Sequence, residues 1–306
     1  MARIEVALFN YQDGGMTADG TYDFTRLQQA FVEVDEAPDL ILFCEAKNYR
    51  DRAGEAKYAA AEALSDQLGV PYAVELGSMQ RGPLPPAIFY NPNVLVLRRW
   101  WNQDDPGAYE DQRNVARFAI RDSGPLADER TEFLAWVHHW EPLSGDTRLE
   151  AARRVSRYGD AQPLPVIGGG DLNATASGKH LPQRDWMAAN FRHRSTKGLL
   201  SDGHWGPDTR ALDHLLGAWD EDTGQRRGGC GLHAVAEMAW RADPTHPILP
   251  TVNDKVDAGG GLLIDWLLAN AAMAPHIIPD SYTVHVPEDD RPYPSDHRLV
   301  TAAFDL

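Results

Sequence analysis

A carboxylate and an amide stand two residues apart at the point where an apolar segment ends in three glycines. The stretch 164–175 reads LPVIGGGDLNAT and places Asp171 and Asn173 after the glycines. In an extended chain, residues two apart point to the same side, so both side chains can face one bound group. A carboxylate can orient or deprotonate a water molecule, and an amide can donate to a phosphate oxygen. Taken alone, however, the stretch is more typical of a polar turn.

Other polar side chains end or interrupt apolar segments elsewhere in the chain. They are Asn10, Glu45, His138, His139, Asp265, Asp296 and His297. Taken singly, most favour an ordinary structural interpretation, such as an Asx-turn, an exposed strand end or a helix cap. Asp265 is the exception, because it lies between two apolar triplets and an unpaired carboxylate buried there would be costly.

Taken together, these residues supply oxygen ligands, histidines and two Asp–His pairings, but no cysteine ligand. A small number of hard oxygen ligands suits Mg²⁺ or Mn²⁺ rather than structural zinc. A divalent cation neutralises charge on phosphoryl oxygens, and a histidine held by a carboxylate can donate to a phosphate or to a leaving group. The set therefore predicts metal-assisted hydrolysis of a phosphate ester.

Many strands and few helices must position this chemistry. Hydrophobic periodicity predicts helices over 23–37, 53–69 and 145–159. Strands are predicted at 3–9, 39–46, 71–77, 85–91, 93–101, 114–121, 131–140, 164–170, 281–288 and 297–306. The apolar segment 261–270 fits a strand or a helix. Strands mixed with helices in this way predict sheets flanked by helices.

Composition is ordinary for a globular protein, with 43% hydrophobic and 24% charged residues among 306. Because no Ser/Pro-rich linker interrupts the chain, we expect one domain over 1–306. The periodic pattern weakens over 176–260, which we interpret as a loop-rich insertion with short helices, two of them at 184–191 and 231–242. The histidines of this insertion lack metal-ligand spacing, so we expect them in loops and on the surface.

The formal net charge of −16 weighs against strong non-specific binding to nucleic acid. It does not exclude a nuclease, since a bound cation supplies local positive charge. No apolar run approaches the ~18 residues of a membrane helix, and the first residues lack the layout of a secretory signal. With only Cys44 and Cys230 and no disulfide framework, a cytoplasmic location is expected. No protein partner can be inferred.

The order of these motifs resembles the endonuclease/exonuclease/phosphatase superfamily, the DNase I-like proteins. The match begins at Asn10 and continues along the chain with FCEA, WVHHW, GGDLN, LIDWLL and SDHRLV. Together these motifs span the chain from 10 to 297. The resemblance implies an α/β (α+β) fold, a four-layer αββα sandwich in which two mainly antiparallel sheets pack between helices. It also implies a hydrolase that depends on Mg²⁺, or on Mn²⁺.

On the metal side, the resemblance implies that Glu45 is the principal Mg²⁺ ligand, with Asn10 and Asp296 near it. Arg148 stands where many members carry an arginine, and we assign it a structural role. His138 is expected to lie on the face opposite its neighbour in the strand.

On the substrate side, Asp171 is similar to the residue that orients or activates the water. Asn173, His139 and His297 are similar to contacts to the substrate phosphate, and Asp265 to the carboxylate that pairs with His297. Deoxyribonuclease-like members give the first histidine a carboxylate partner before the strand at 85–91. Here that stretch reads GPLPP, so the sequence offers no partner at that place.

Three functions remain open on this sequence. A nuclease-like phosphodiesterase is favoured, with 98–101 (RRWW) and 226–227 (RR) as candidate nucleic-acid contacts. The alternative is a phosphatase or phosphodiesterase acting on a small phosphorylated metabolite or a lipid headgroup. A non-catalytic binding protein ranks last, because none of the six motif positions is lost.

Overall fold

Strands form most of the regular structure in the computed structural model, which describes residues 2–78, 84–102, 113–121, 130–254, 256–288 and 293–306. Their bounds are β1 Arg3–Asn10, β2 Leu40–Cys44, β3 Ala73–Leu76, β4 Ala87–Tyr90, β5 Leu95–Trp101, β6 Val115–Ile120, β7 Glu132–Val137, β8 Val166–Asp171, β9 Gly198–Ser201, β10 His204–Pro207, β11 Ala218–Asp220, β12 Gln225–Arg227, β13 Leu232–Ala234, β14 Asp265–Asn270, β15 Ile277–Val284 and β16 Val300–Asp305.

The described part of the chain has fewer helices than strands. They are α1 Thr25–Ala30, α2 Glu55–Leu68, α3 Gly145–Val155, α4 Phe191–Lys197, α5 Arg210–Leu216 and α6 Val235–Ala242. Short 3₁₀ turns cover Gln12–Gly15, Arg52–Gly54, Ser156–Tyr158 and Ala274–His276. In the described part of the chain, no helix is both long enough and apolar enough to cross a bilayer.

The strands form two six-stranded sheets and two hairpins. The first sheet has the order β15-β16-β1-β2-β4-β3, and the second has the order β13-β14-β8-β7-β6-β5. Neighbours are antiparallel except for β1 with β2 and β7 with β8, which run parallel. The hairpins β9–β10 and β11–β12 lie within the segment 176–260.

Alternation along β1 shows how the layers stack. Ile4, Val6 and Leu8 join the core between the two sheets, while Ala7 and Phe9 face the opposite side. That opposite side is covered by α1 and α2, and the outer face of the second sheet packs against α3 and α5. The order helix, sheet, sheet, helix confirms the predicted αββα sandwich.

Two of the longer helix predictions have different outcomes. The alanine-rich helix is confirmed as α2, and it ends at Gly69 in the left-handed conformation. The helix predicted over 23–37 is too long, since α1 ends at Ala30 and turns follow it. Three acidic residues at 33, 35 and 36 would oppose the dipole at a helix C-terminus. Phe31 nevertheless reaches the core from the turn.

The segment 176–260 is more ordered than the sequence predicts. It contains α4, α5 and α6 as well as both hairpins. The helix predicted at 184–191 is absent, since residues 186–188 form a turn and α4 begins only at Phe191. The helix predicted at 231–242 is present as α6, preceded by the short strand β13.

Candidate functional site

Four of the predicted site residues lie at the ends of neighbouring strands. Asn10 ends β1 and pairs with Cys44 at the end of the parallel strand β2, so Glu45 follows directly. In the second sheet, Asp171 at the end of β8 pairs with Asp265 at the start of β14. The segment 261–270 is therefore loop and strand, not helix, and its carboxylate stands at the strand end.

The three glycines before Asp171 belong to strand β8, not to a turn. A Cβ at Gly168 would lie 1.9 Å from the Trp136 indole, and one at Gly170 would lie 1.8 Å from the His138 carbonyl oxygen. The glycines are required because β7 and its aromatic side chain pass so close to the strand. This close approach brings the residues after β7 against the Asp171 carboxylate.

Asn10 and Glu45 are held in fixed orientations. The Asn10 amide nitrogen donates to Asp171 Oδ2 at 3.0 Å and to Glu45 Oε1 at 3.4 Å. The Asp13 backbone N–H donates to Glu45 Oε2 at 2.8 Å, and Glu45 itself has a left-handed φ of 68°. Burial raises the pKa of Glu45, while His139 and the Asp13 N–H partly counter that rise.

Ser295 fastens the Asp296–His297 turn to the end of β1. Its hydroxyl donates to the Asn10 carbonyl at 2.7 Å and accepts from the Gln12 backbone N–H at 3.0 Å. Asp296 is half-buried, and its negative charge contributes to the raised pKa of both Glu45 and His297. The C-terminal motif thus joins the residues of the first sheet.

Asp171 is at the centre of the cluster. Its Oδ1 accepts the Asn173 backbone N–H at 2.9 Å, and its Oδ2 lies 3.4 Å from His139 Nε2 and 3.9 Å from His297 Nε2. Burial alone would raise the pKa of Asp171. The hydrogen bond from His139, with the positive charges of His297 and Lys197, outweighs burial and holds that pKa below its ordinary value.

Asp265 and His297 form the buried pair that the sequence pattern predicts. Asp265 Oδ2 lies 2.8 Å from His297 Nδ1. Burial favours the neutral imidazole, but the Asp265 charge and hydrogen bond raise the pKa of His297 to about 10. Burial in turn raises the pKa of Asp265. Because Nδ1 is taken by Asp265, Nε2 is left to face Asp171.

His139 finds its carboxylates inside the site. Its Nε2 lies 3.4 Å from Asp171 and 4.0 Å from Glu45. Burial lowers the pKa of His139, but Asp171 and Glu45 together outweigh burial, so the net shift is upward. The stretch 82–86 offered no such partner, and its first two residues lie outside the described residues.

His138 packs against Trp136 while His139 lies against Asp171, and the expectation that the two histidines lie on opposite faces stays a prediction. Strand β7 ends at Val137, so both histidines lie beyond the alternation of the strand. Both line a cavity of about 390 Å³ that also borders Ser78, Asn114 and Trp140. The His138 ring packs edge-on to Trp136, with ring centroids 5.3 Å apart.

Lys197 is a site residue that sequence reasoning missed. It ends helix α4, and its ammonium donates to the Asn173 side-chain oxygen. Arg148, 1% exposed, donates to the carbonyls of Glu141 and Thr196, which agrees with the structural role assigned to it. No motif marks Lys197, because it lies 24 positions after Asn173 in a segment without clear periodicity.

The oxygen ligands near Glu45 fit a hard divalent cation. The Asn10 side-chain oxygen is buried and has no hydrogen-bond partner, whereas the nitrogen of the same amide donates two hydrogen bonds. A buried oxygen without a donor is accounted for if it ligates a cation. The Glu45 carboxylate lies beside it, and the negative charge of Asp296 acts on Glu45, so the three predicted metal residues offer oxygen ligands that suit the ion.

A second cluster of possible metal ligands, formed by Asp171, Asp265 and His297, is compact enough to hold a metal ion. However, the His297 Nδ1 atom is already bonded to Asp265, and a histidine must be neutral to bind a metal. With its pKa raised to about 10, His297 is a cation at neutral pH. The site beside Glu45 is therefore the better fit.

Solved structures with the same fold span the whole chain at low identity. An AP endonuclease from Archaeoglobus fulgidus has a TM-score of 0.56 at 14% identity, and the match covers 99% of this chain and 100% of that one. An endonuclease/exonuclease/phosphatase family protein from Bacteroides thetaiotaomicron has a TM-score of 0.53 at 16% identity, and the match covers 100% of this chain and 99% of that one. A mannosyl-6-phosphatase from the same organism has a TM-score of 0.52 at 15% identity, and the match covers 98% of each chain.

No protein-family model and no curated protein sequence matches the chain. The structural likeness rests on two six-stranded sheets between helices, the architecture described above. It agrees with the resemblance that the motif order suggests. The chain therefore has the DNase I-like fold of the endonuclease/exonuclease/phosphatase proteins.

Proposed function

We propose that the protein is a Mg²⁺-dependent phosphoesterase that hydrolyses a phosphodiester bond by attack of water. The single observation that carries the proposal is the convergence of all eight predicted site residues in one cluster, with the Asn10 side-chain oxygen buried and without a partner. The fold supports it, because the similar structures include an AP endonuclease and a mannosyl-6-phosphatase.

Asp171 is suited to orient the attacking water. Its pKa is held below the ordinary value, so the carboxylate is ionised and can only accept hydrogen bonds. Water attacks the phosphorus atom as the bond to the leaving oxygen breaks. The water gives its proton to Asp171, and the leaving oxygen takes one from His139 or His297.

His297 and His139 supply the positive side of the site. His297 is held by Asp265, which fixes the ring and stabilises its cationic form. His139 lies against Asp171 from the second sheet. Both can donate to the non-bridging or leaving oxygens of a bound phosphate. Glu45, Asn10 and Asp296 would hold the Mg²⁺ ion, which when bound neutralises phosphoryl charge and stabilises the leaving oxygen.

The cavity beside His138 and His139 favours the second candidate, a small phosphorylated substrate. It holds about 390 Å³ and is lined by apolar Leu84, Pro86 and Val155, with Arg113 and Arg154 at its border. Such a mixture of apolar walls and cations suits a compact organic group that carries a phosphate. We therefore keep a small phosphodiester or phosphomonoester as the alternative to nucleic acid.

Several residues of the basic segments that suggested nucleic-acid contacts have partners within the protein. Trp100 donates its ring N–H to the Leu76 carbonyl, and Arg98 forms an ion pair with Glu132. Arg226 is bound by Glu237 inside the segment 176–260. These contacts favour structural roles for Arg98, Trp100 and Arg226, while Arg99 and Arg227 are exposed.

A substrate panel tests the proposal and separates the two candidates. Single-stranded DNA, plasmid DNA, RNA, bis-p-nitrophenyl phosphate and p-nitrophenyl phosphate are incubated with the protein in Mg²⁺ and, in parallel, in EDTA. We expect Mg²⁺-dependent cleavage of at least one diester and none in EDTA. Turnover of the small esters alone selects the second candidate. No turnover of any substrate in Mg²⁺ or Mn²⁺ would contradict the proposal.

A further inference from the structure

We infer that Lys197 is a positioning residue that fixes the side-chain amide of Asn173 for contact with the substrate phosphate. This inference rests on the proposed function and adds a residue to it. Neither the motif order nor the metal cluster points to Lys197, because it comes from helix α4 in the segment 176–260.

The amide of Asn173 is held at both ends. Lys197 donates to its oxygen, while its nitrogen donates to the Trp140 carbonyl at 3.0 Å. The backbone is held as well, because the Asn173 N–H donates to Asp171 and its φ is 52°, in the left-handed region. Rotation of an asparagine amide is broad and roughly two-fold, so an unheld amide can exchange its two ends.

The orientation of this amide decides whether it attracts or repels a phosphate. With Lys197 on the oxygen, the nitrogen of Asn173 keeps a second N–H that can donate to an anion. If the amide turned over, its oxygen would replace that donor and would repel phosphate oxygens. The ammonium group of Lys197 also adds positive charge close to Asp171, where the phosphate would bind.

Lys197 is itself anchored by the surrounding backbone. Its carbonyl accepts the Asp208 backbone N–H at 3.0 Å. The carbonyl of the preceding residue, Thr196, accepts from the buried guanidinium of Arg148. The two bonds fix the end of α4 against α3 and against the residues that precede α5. The ammonium therefore reaches Asn173 from a rigid base, as a positioning group requires.

The charges around Lys197 are consistent with an ammonium that stays protonated at neutral pH. Burial and the nearby charge of Arg148 lower the pKa of Lys197, which is about 8 overall. Asp171, Asp265 and Glu141 raise it in the opposite direction. A flexible surface lysine would have no such charged neighbours.

A double-mutant cycle tests the inference. Lys197→Met, Asn173→Ala and the double variant are compared with wild type in Mg²⁺-dependent hydrolysis and in calorimetric binding of inorganic phosphate. We expect Lys197→Met to lower kcat on the order of 10- to 100-fold with KM changed by less than about threefold, because displaced groups act on the transition state. The double variant should be no slower than Asn173→Ala.

Controls separate positioning from folding. Lys197→Arg keeps a cationic donor and should recover part of kcat, while Arg192→Met removes an exposed cation from the same helix and should leave kcat unchanged. If Lys197→Met does not fold, Lys197→Gln replaces it in the cycle. Additive losses in the cycle, or wild-type kcat in Lys197→Met, would overturn the inference while the proposed function stands. A wild type that neither binds phosphate nor turns over any ester overturns the proposed function and this inference with it.

Discussion

At the scale of single residues, the Asp265–His297 pair carries the chemistry that the histidine can do. Asp265 Oδ2 lies 2.8 Å from His297 Nδ1 in a fully buried setting. The carboxylate fixes the ring and is the main group that raises the pKa of His297 against burial, which by itself favours the neutral imidazole. The pair explains why a carboxylate follows an apolar segment.

Asp265→Asn tests this pair. An amide can hydrogen-bond the ring but cannot stabilise its positive charge, so we expect kcat to fall on the order of 10²- to 10⁴-fold. KM should change little, because the lost charge acts mainly as the leaving oxygen develops. Asp280→Asn, at an exposed position, serves as the control and should retain wild-type kcat. A rise in KM with kcat unchanged would contradict the role assigned to the pair.

The sequence predicted most site residues because each stands at a strand end, where polarity departs from the apolar pattern. It missed Lys197 for a physical reason: only the tertiary path of α4 brings that side chain to Asn173. It also misplaced His180, which was expected on the surface. His180 is buried between Trp219 and Trp240, at ring distances of 3.9 and 4.6 Å. Long-range aromatic packing of this kind leaves no local pattern.

At the scale of elements, strand β8 positions the site by its close fit to β7. The strand consists of two apolar residues, three glycines and Asp171. The Trp136 indole fills the space that a side chain at Gly168 would occupy. Polar residues at strand ends could be predicted from the pattern, but this close packing could not, since a run of glycines is equally typical of a turn.

Gly168→Ala tests the fit. A Cβ would lie 1.9 Å from the Trp136 ring, so strand or indole must shift. We expect the free energy of unfolding to fall by about 1–3 kcal/mol in urea denaturation, the usual cost of overpacking. Gly206→Ala in β10 is the matched control, because nothing lies within 4 Å of its added Cβ. Equal stability of the two variants would show that β8 is not closely packed against β7.

At the scale of the whole molecule, the segment 176–260 is fastened to itself by a buried ionic network. Arg226 forms paired bonds with Glu237, and Glu237 Oε1 also lies 2.7 Å from His180 Nε2. Arg226 further donates to the carbonyls of Gly217 and Ser177. The network joins β12, α6 and the stretch just after the GDLN motif.

One domain over 1–306 and a cytoplasmic location stay predictions.

Adjacent arginines offer a matched test of this network. Arg226→Met leaves the Glu237 carboxylate buried without its guanidinium, so we expect a loss of about 3–5 kcal/mol in the free energy of unfolding. Arg227 is 66% exposed in its pair with Asp220, and Arg227→Met should cost no more than about 1 kcal/mol. Urea denaturation of both variants checks the difference. A similar small loss in each would mean that the buried network does not stabilise the segment.

In the proposed function, the cluster around Glu45 binds a divalent cation that phosphoester hydrolysis requires. The most direct measurement is the Mg²⁺-dependent rate of bis-p-nitrophenyl phosphate hydrolysis by wild type, Glu45→Gln and the exposed-helix control Glu62→Gln. We predict a loss on the order of 10²- to 10³-fold in Glu45→Gln alone, with an unchanged thermal unfolding midpoint. Wild-type, Mg²⁺-dependent turnover by a folded Glu45→Gln variant would contradict the account.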